Sequence, residues 1–329
     1  MSGPPSHAEA PSRRERWLRL AGVGISVLSL AAVAVWAARQ PAPTLPHEGG
    51  QMASLAAAIL VYALATLARG ERWAALLRRS GAHLSRPDAY GLTVVGYMGN
   101  NVLPARGGDA MRVVLATPRA GVSMRTIVGT LLAERLLDVV TLLALFAVLA
   151  YGVLRGIHAP SAARLGIAAG IVAALALAAL AVLRASRHRP AAGRLAAYLA
   201  PVTASTLSLR GRFAAAMLAA TAGIWALEAA TYLAVAGSAG LGIEPLEALY
   251  IVAVASVFVL VPAGPGYLGT LDAAIIFGVK AVGGSGSQAV SFLLALRFVL
   301  LVPITLAGLA ILLARYGGFA RARAGAATT

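Results

Sequence analysis

The chain has 329 residues, 59% of them apolar and only 12% charged, against about 25% charged in soluble domains, which excludes an ordinary soluble fold. A net charge of +16 would suggest nucleic acid in a soluble protein, but here the arginines gather between apolar runs, where the positive-inside rule accounts for them. There is no cysteine, which excludes disulfides, thiolate chemistry and a cysteine-based metal site, and the five histidines show no HxxxH or HExxH spacing, so neither a metal enzyme nor a cofactor is expected.

The expected fold is an all-α polytopic membrane protein, with about eight membrane-crossing helices plus re-entrant or broken half-helices. Residues 1–16 are polar, Pro/Ser-rich and then basic, and read as a disordered tail. The membrane domain follows over residues 17–316. Leu18–Ala38 is the first span; its apolar run is longer than the 7–15 residues of a signal-peptide core. Met52–Ala68 is the second, and Arg69, Arg72, Arg78, Arg79 and Arg86 after it read as a basic connecting segment. Tyr90–Pro104 is short. At 1.5 Å per residue it covers about 22 Å, less than the about 30 Å hydrocarbon core. The polar stretch NNVLPARGGD closes it.

Four longer runs come next: Ile127–Tyr151, Ala163–Leu183, Phe213–Ala236 and Pro245–Pro262. After PAGPGYLG, Thr270–Val282 is short again, and Ala289–Ala314 is the last span. Residues 317–329 form a cytosolic tail. With both termini inside and Tyr90–Pro104 returning to its own side, 22 of the 28 basic residues fall on the inner side. That bias favours an N-in, C-in topology. An even number of crossings then makes Thr270–Val282 a short or broken eighth.

Irregular backbone at membrane depth survives only when buried in protein or lining a wet cavity. Two segments have that character. Pro104 and Gly107 interrupt the first; Pro262, Gly264, Pro265, Gly266 and Gly269 interrupt the second. Paired Gly/Pro interruptions, one in each half, point to a transport site built from broken helices. Asp109 and Asp272 follow the two breaks.

Charges within the apolar runs add to this. Glu134 and Asp138 share a helix face at i,i+4, and Arg135 is i,i+3 from Asp138. An isolated charge there costs about 2.5–3.5 kcal/mol on insertion scales, so all three should face protein and pair. The set is either a structural ion pair near the headgroups or the polar wall of a headgroup cavity. Glu228 and Arg297 are lone intramembrane charges, and Lys280 lies near enough to an end to snorkel. Arg106 and Arg112, flanking Asp109, suit a phosphate, because guanidinium matches it bidentately. The Gly107-Gly108 backbone could let a headgroup approach closely. The competing reading is surface arginines drawn to anionic lipid. No GxSxG, Walker or strand-borne GxGxxG sequence occurs.

Three stretches together, NNVLPARGGDAMRVVL, ERLLD and VPAGPGYLGTLDAA, resemble the flippase-like transmembrane domain family. That family includes the membrane part of lysylphosphatidylglycerol synthases and stand-alone relatives. The order and spacing match from Leu18 to Ala314. Asn101, Pro104, Arg106, Gly108 and Arg112 match the first motif, Glu134, Arg135 and Asp138 the second, and Pro265, Gly266 and Gly269 the third. Asp109 and Asp272 stand where many members carry glutamate, so the charge is kept and the reach is shorter.

The resemblance implies lipid handling in a bacterial-type cytoplasmic (inner) membrane, without the soluble aminoacyltransferase domain. The leading reading is a translocase moving a phospholipid or lipid-linked headgroup between leaflets. Its substrate-binding set is Asn101, Arg106, Gly108, Asp109, Arg112, Glu134, Arg135, Asp138, Asp272 and Arg297. A lipid-modifying transferase using Glu134 or Asp109 as base is one alternative. A non-catalytic scaffold for a biosynthetic partner enzyme is the other.

Overall fold

The computed structural model describes residues 27, 28, 30–103, 106–154, 202–258 and 265–317. The expected span Ala163–Leu183, the tail 1–16, the hinge residues Pro104, Pro262 and Gly264, and all of the C-terminal tail except Gly317 lie outside the described residues. The described chain is helical, with no strand among the described residues. Of the run Leu18–Ala38, residues 30–37 are seen as helix. An extended strap then crosses the start of the last helix, where the Thr44 N–H donates to Ser291 Oγ and the Ser287 hydroxyl to the Ala42 carbonyl.

The described elements include α1 (Gly49–Arg79), α2 (Arg86–Val102), α3 (Gly107–Ala120), α4 (Met124–Leu154), α5 (Gly211–Ser238) and α6 (Pro245–Phe258). A 3-10 turn (Pro265–Tyr267), α7 (Thr270–Ala281) and α8 (Gly286–Tyr316) follow among the described residues. Helices α1, α5 and α8 are each long and apolar enough to cross a membrane. The caps follow local chemistry. Ser85 accepts from the Asp88 N–H with Pro87 in the first turn of α2, and Ser285 with Gln288 forms a capping box on α8. Gly317, left-handed at φ 72°, ends α8.

One boundary corrects the sequence reading. The second span does not stop at Ala68; α1 runs on through Arg69 and Arg72 to Arg79. The charges do not end the helix because acids on other helices meet them, and the first turn signal is Ser80-Gly81, with Gly81 at φ 80°. Many arginines counted as connecting-segment charges, Arg69, Arg72 and Arg112 among them, therefore lie within helices.

Helices α2 and α3 double back on each other. A Cβ added to Gly108 would lie 1.8 Å from the Gly96 carbonyl oxygen, and one on Gly99 2.6 Å from Gly108 Cα, so only glycine permits this contact. The Gly108 N–H also donates to Asn100 Oδ1 at 3.0 Å. Gly308 of α8 admits Met98 in the same way. At 1.5 Å per residue α2, α3 and α7 are about 25, 21 and 18 Å long, all shorter than the hydrocarbon core.

At the end shared by α1, α2 and α8, Asp88 joins Ser85, Arg315 and Tyr316. Burial pushes the Asp88 carboxyl up, but those hydrogen bonds and the Arg315 charge outweigh it and hold the group below the usual aspartate range.

Candidate functional site

Between α1, α2, α4, α5, α8 and the 3-10 turn lies a cavity of about 420 Å³. Both interrupted segments reach it. The first arrives through Arg106, whose backbone is left-handed (φ 57°) as it caps α3. An arginine in that region is uncommon and costs free energy that its surroundings must offset. The second arrives through Gly266 and Tyr267, at φ 61° and 54°. The two breaks meet: a Cβ on Gly266 would lie 3.5 Å from the Asn101 carbonyl oxygen.

Charge is organised in three groups. The first is the most enclosed. Arg72 donates to Asp138 at 2.7 Å and to Thr221 Oγ1 at 2.9 Å, and sits 3.6 Å from Glu134. Arg112 donates to Glu134 at 2.9 Å and stacks on Trp73, 4.1 Å from the ring centroid. The Trp73 indole N–H is fixed in turn by Thr130. Side chains of Arg72, Glu134 and Arg112 are 3–4% exposed. Glu134 thus bridges two guanidiniums and ties α1, α3 and α4 together.

The second group faces the cavity. Asp109 lies 3.4 Å from Arg106 and 3.6 Å from Arg135, and Arg135 reaches Asp138 at 3.5 Å. Arg106 and Arg135 are 32% and 39% exposed, so they, rather than Arg112, present open guanidinium surface. Arg106 Nε has no hydrogen-bond partner within normal geometry. On the neighbouring wall Arg69 of α1 pairs with Glu228 of α5 and lies over the Tyr97 ring.

The third group holds the second break. Arg297 of α8 donates to Asp272 at 2.5 Å and to the carbonyls of Gly266 at 2.5 Å and Tyr267 at 3.2 Å. Asp272 also accepts the Gly269 N–H at 2.8 Å. One side chain therefore supplies the partners that irregular backbone in a membrane requires. Asn101 does the same at the first break. Its amide reaches the Leu300 carbonyl at 3.4 Å and Thr305 Oγ1 at 3.0 Å, around Pro303 inside α8.

The structure therefore sorts the residues singled out in the sequence. Asn101, Arg106, Asp109, Arg112, Arg135, Asp138, Gly266 and Arg297 line the cavity. Glu134 and Asp272 stand behind arginines, and Gly108 serves the α2–α3 contact. Gly107 sits against Leu103 at the tip of the hairpin. Pro265 opens the 3-10 turn, and Gly269 caps α7 at φ 85°. Sequence reasoning missed Arg69 and Arg72 as site residues, and the aromatic wall of Tyr62, Tyr97, Trp225 and Tyr232. The signal for that wall was the i, i+3, i+7 spacing of Trp225, Glu228 and Tyr232 on α5. No cluster that could hold a metal occurs among the described residues.

The family description "Lysylphosphatidylglycerol synthase TM region" matches residues 17–308. The chain belongs to this family. It is a membrane protein, and the transmembrane-region match spans every described helix except the end of α8. A curated relative, "Glycosyltransferase AglD" of Haloferax volcanii, is 29% identical over 134 residues. That match covers 40% of this chain and 21% of the relative, so the chain spans about a fifth of that protein's length.

Proposed function

We propose that this protein is a lipid translocase of the lysylphosphatidylglycerol synthase transmembrane-region family. It passes a phospholipid or lipid-linked phosphate headgroup between leaflets through the polar cavity. The observation that carries this reading is the cavity's charge balance. Six arginines (69, 72, 106, 112, 135, 297) meet five acids (109, 134, 138, 228, 272). The excess is one positive charge, and it resides where Arg106 and Arg135 are least enclosed. A phosphodiester carries one negative charge and accepts bidentate hydrogen bonds from guanidinium. Moving such a group through hydrocarbon costs its hydration, and a preformed polar cavity replaces that hydration.

In this reading α2–α3 is a re-entrant hairpin and α7 a broken crossing helix. About eight crossings place both termini inside a bacterial-type inner membrane, and the acyl tails remain in lipid. The transferase alternative draws on the name of the relative, but the cavity's acids suit it less well. Asp138 receives Arg72 on one oxygen and Arg135 on the other, and Asp109 and Glu134 are each shared by at least two guanidiniums. Those oxygens are already occupied by cations, which leaves none of the three placed as a base.

Leaflet exchange in proteoliposomes made with native-membrane lipid extract is the test. Wild type should exchange an anionic lipid, and Arg106→Ala should lose that exchange while keeping its thermal unfolding profile. Exchange undiminished in Arg106→Ala would exclude transport through this site.

A further inference from the structure

The aromatic part of the cavity lining has a feature that a phosphate site alone does not use. Tyr62 of α1 and Tyr232 of α5 are 7% and 4% exposed, and both line the cavity. Among the described residues neither hydroxyl has a hydrogen-bond partner, and the same holds for the Tyr97 hydroxyl and the Trp225 indole N–H. None of these four polar atoms is fully enclosed, so each opens onto the cavity with its hydrogen-bonding capacity unused. Phenylalanine would fill the same wall and offer a ligand no hydrogen bond.

The wall holds further unused capacity. Glu228 gives one carboxylate oxygen to Arg69 and keeps the other free, while Arg69 Nη1 is buried without a partner. Donors and acceptors thus share this lining with the aromatic side chains of Tyr97 and Trp225. The Arg69–Glu228 pair cancels its own charge. A cationic headgroup would enter a cavity that already holds one excess positive charge and whose described acids each already face at least one guanidinium.

We infer that the Tyr62–Tyr97–Trp225–Tyr232 wall, with Glu228, recognises an uncharged polyhydroxylated headgroup, a sugar or a glycerol, on the phosphodiester held by Arg106 and Arg135. This rests on the translocase reading. The phosphate supplies the single negative charge, the hydroxyls satisfy the tyrosine and Glu228 oxygens, and the aromatic faces cover the C–H surface of the polyol.

The test is calorimetric binding to the purified full-length protein in detergent, using four lipids with the same two six-carbon chains. They are phosphatidylglycerol, a glucosyl phosphodiester, phosphatidylmethanol and phosphatidylethanolamine. Phosphatidylmethanol keeps the charge and lacks the hydroxyls. At least one polyol lipid should bind about tenfold more tightly than phosphatidylmethanol, and phosphatidylethanolamine more weakly still. Tyr62→Phe and Tyr232→Phe should each weaken the polyol lipid about three- to tenfold, the size of one net hydrogen bond, and leave phosphatidylmethanol unchanged. Whichever polyol binds better tells glycerol from sugar.

If phosphatidylmethanol or phosphatidylethanolamine binds as tightly as both polyol lipids while Arg106→Ala still weakens the anionic ones, this inference fails and the translocase reading stands. If no lipid binds, or Arg106→Ala changes nothing, the translocase reading fails and takes this inference with it. The wild-type lipid series decides the headgroup preference even if a tyrosine variant misfolds.

Discussion

Replacing Glu134 by glutamine keeps the side chain's shape and removes the counterion that two buried guanidiniums share. Removing one partner of a buried ion pair costs about 3–5 kcal/mol, because the remaining charge stays buried. The structure places this site at the lower end of that range. Arg72 keeps Asp138 at 2.7 Å and Thr221 at 2.9 Å, and Arg112 keeps the face of Trp73 at 4.1 Å. A loss of about 3 kcal/mol is therefore expected. Glu228→Gln is the comparison, since its pair with Arg69 lies at the cavity wall with both side chains 16% exposed; it should cost about 1 kcal/mol. Reversible unfolding in mixed micelles of increasing dodecyl sulfate content measures both. Pairing Glu134→Leu with Arg112→Met should recover most of the loss, because a well-packed apolar pair can replace a buried ionic one. A Glu134→Gln penalty below that of Glu228→Gln would refute the view that burial and sharing make Glu134 structural.

Three further outcomes follow from the same geometry. Gly108→Ala should prevent the α2–α3 contact and abolish folded protein on size-exclusion chromatography, whereas Gly223→Ala, whose added Cβ meets nothing within 4 Å, should be neutral. Arg297→Lys keeps the charge but cannot reach Asp272 and two carbonyls with one planar fork, so it should cost about 2 kcal/mol in the same micelle titration. The lowered Asp88 carboxyl contributes stability that is full above its unfolded value near 4 and is lost as pH falls through its lower folded value. Unfolding at pH 3 should therefore be easier than at pH 5, and Asp88→Asn should narrow that difference.

The all-α membrane character, the two interruptions and the family were readable from composition and from three short motifs. So was the need for Glu134, Asp138 and Arg297 to find partners, because charge in an apolar run is too costly to leave alone. The identity of those partners was not readable. Arg72 lies 66 residues from Asp138, and Arg69 lies 159 from Glu228. Next to an apolar run, both arginines look like ordinary membrane-surface charge until the acids of α4 and α5 are seen against them. Arg106 and Arg112 looked equivalent for the same reason. Only packing shows that Arg112 is stacked on Trp73 and bound to Glu134, while Arg106 opens into the cavity beside Arg135.

Both breaks are tied to the same helix. Asn101 fastens the first to α8 on either side of Pro303, at Leu300 and Thr305, and Arg297 fastens the second less than two turns before that proline. In mechanical terms α8 is a shared axle with its weak point set between two bearings. A helix lacks one internal hydrogen bond at an interior proline and bends there more readily than elsewhere. Flexing at Pro303 would alter the spacing of the two breaks directly, so the cavity's width and the bend of a single helix become one coordinate.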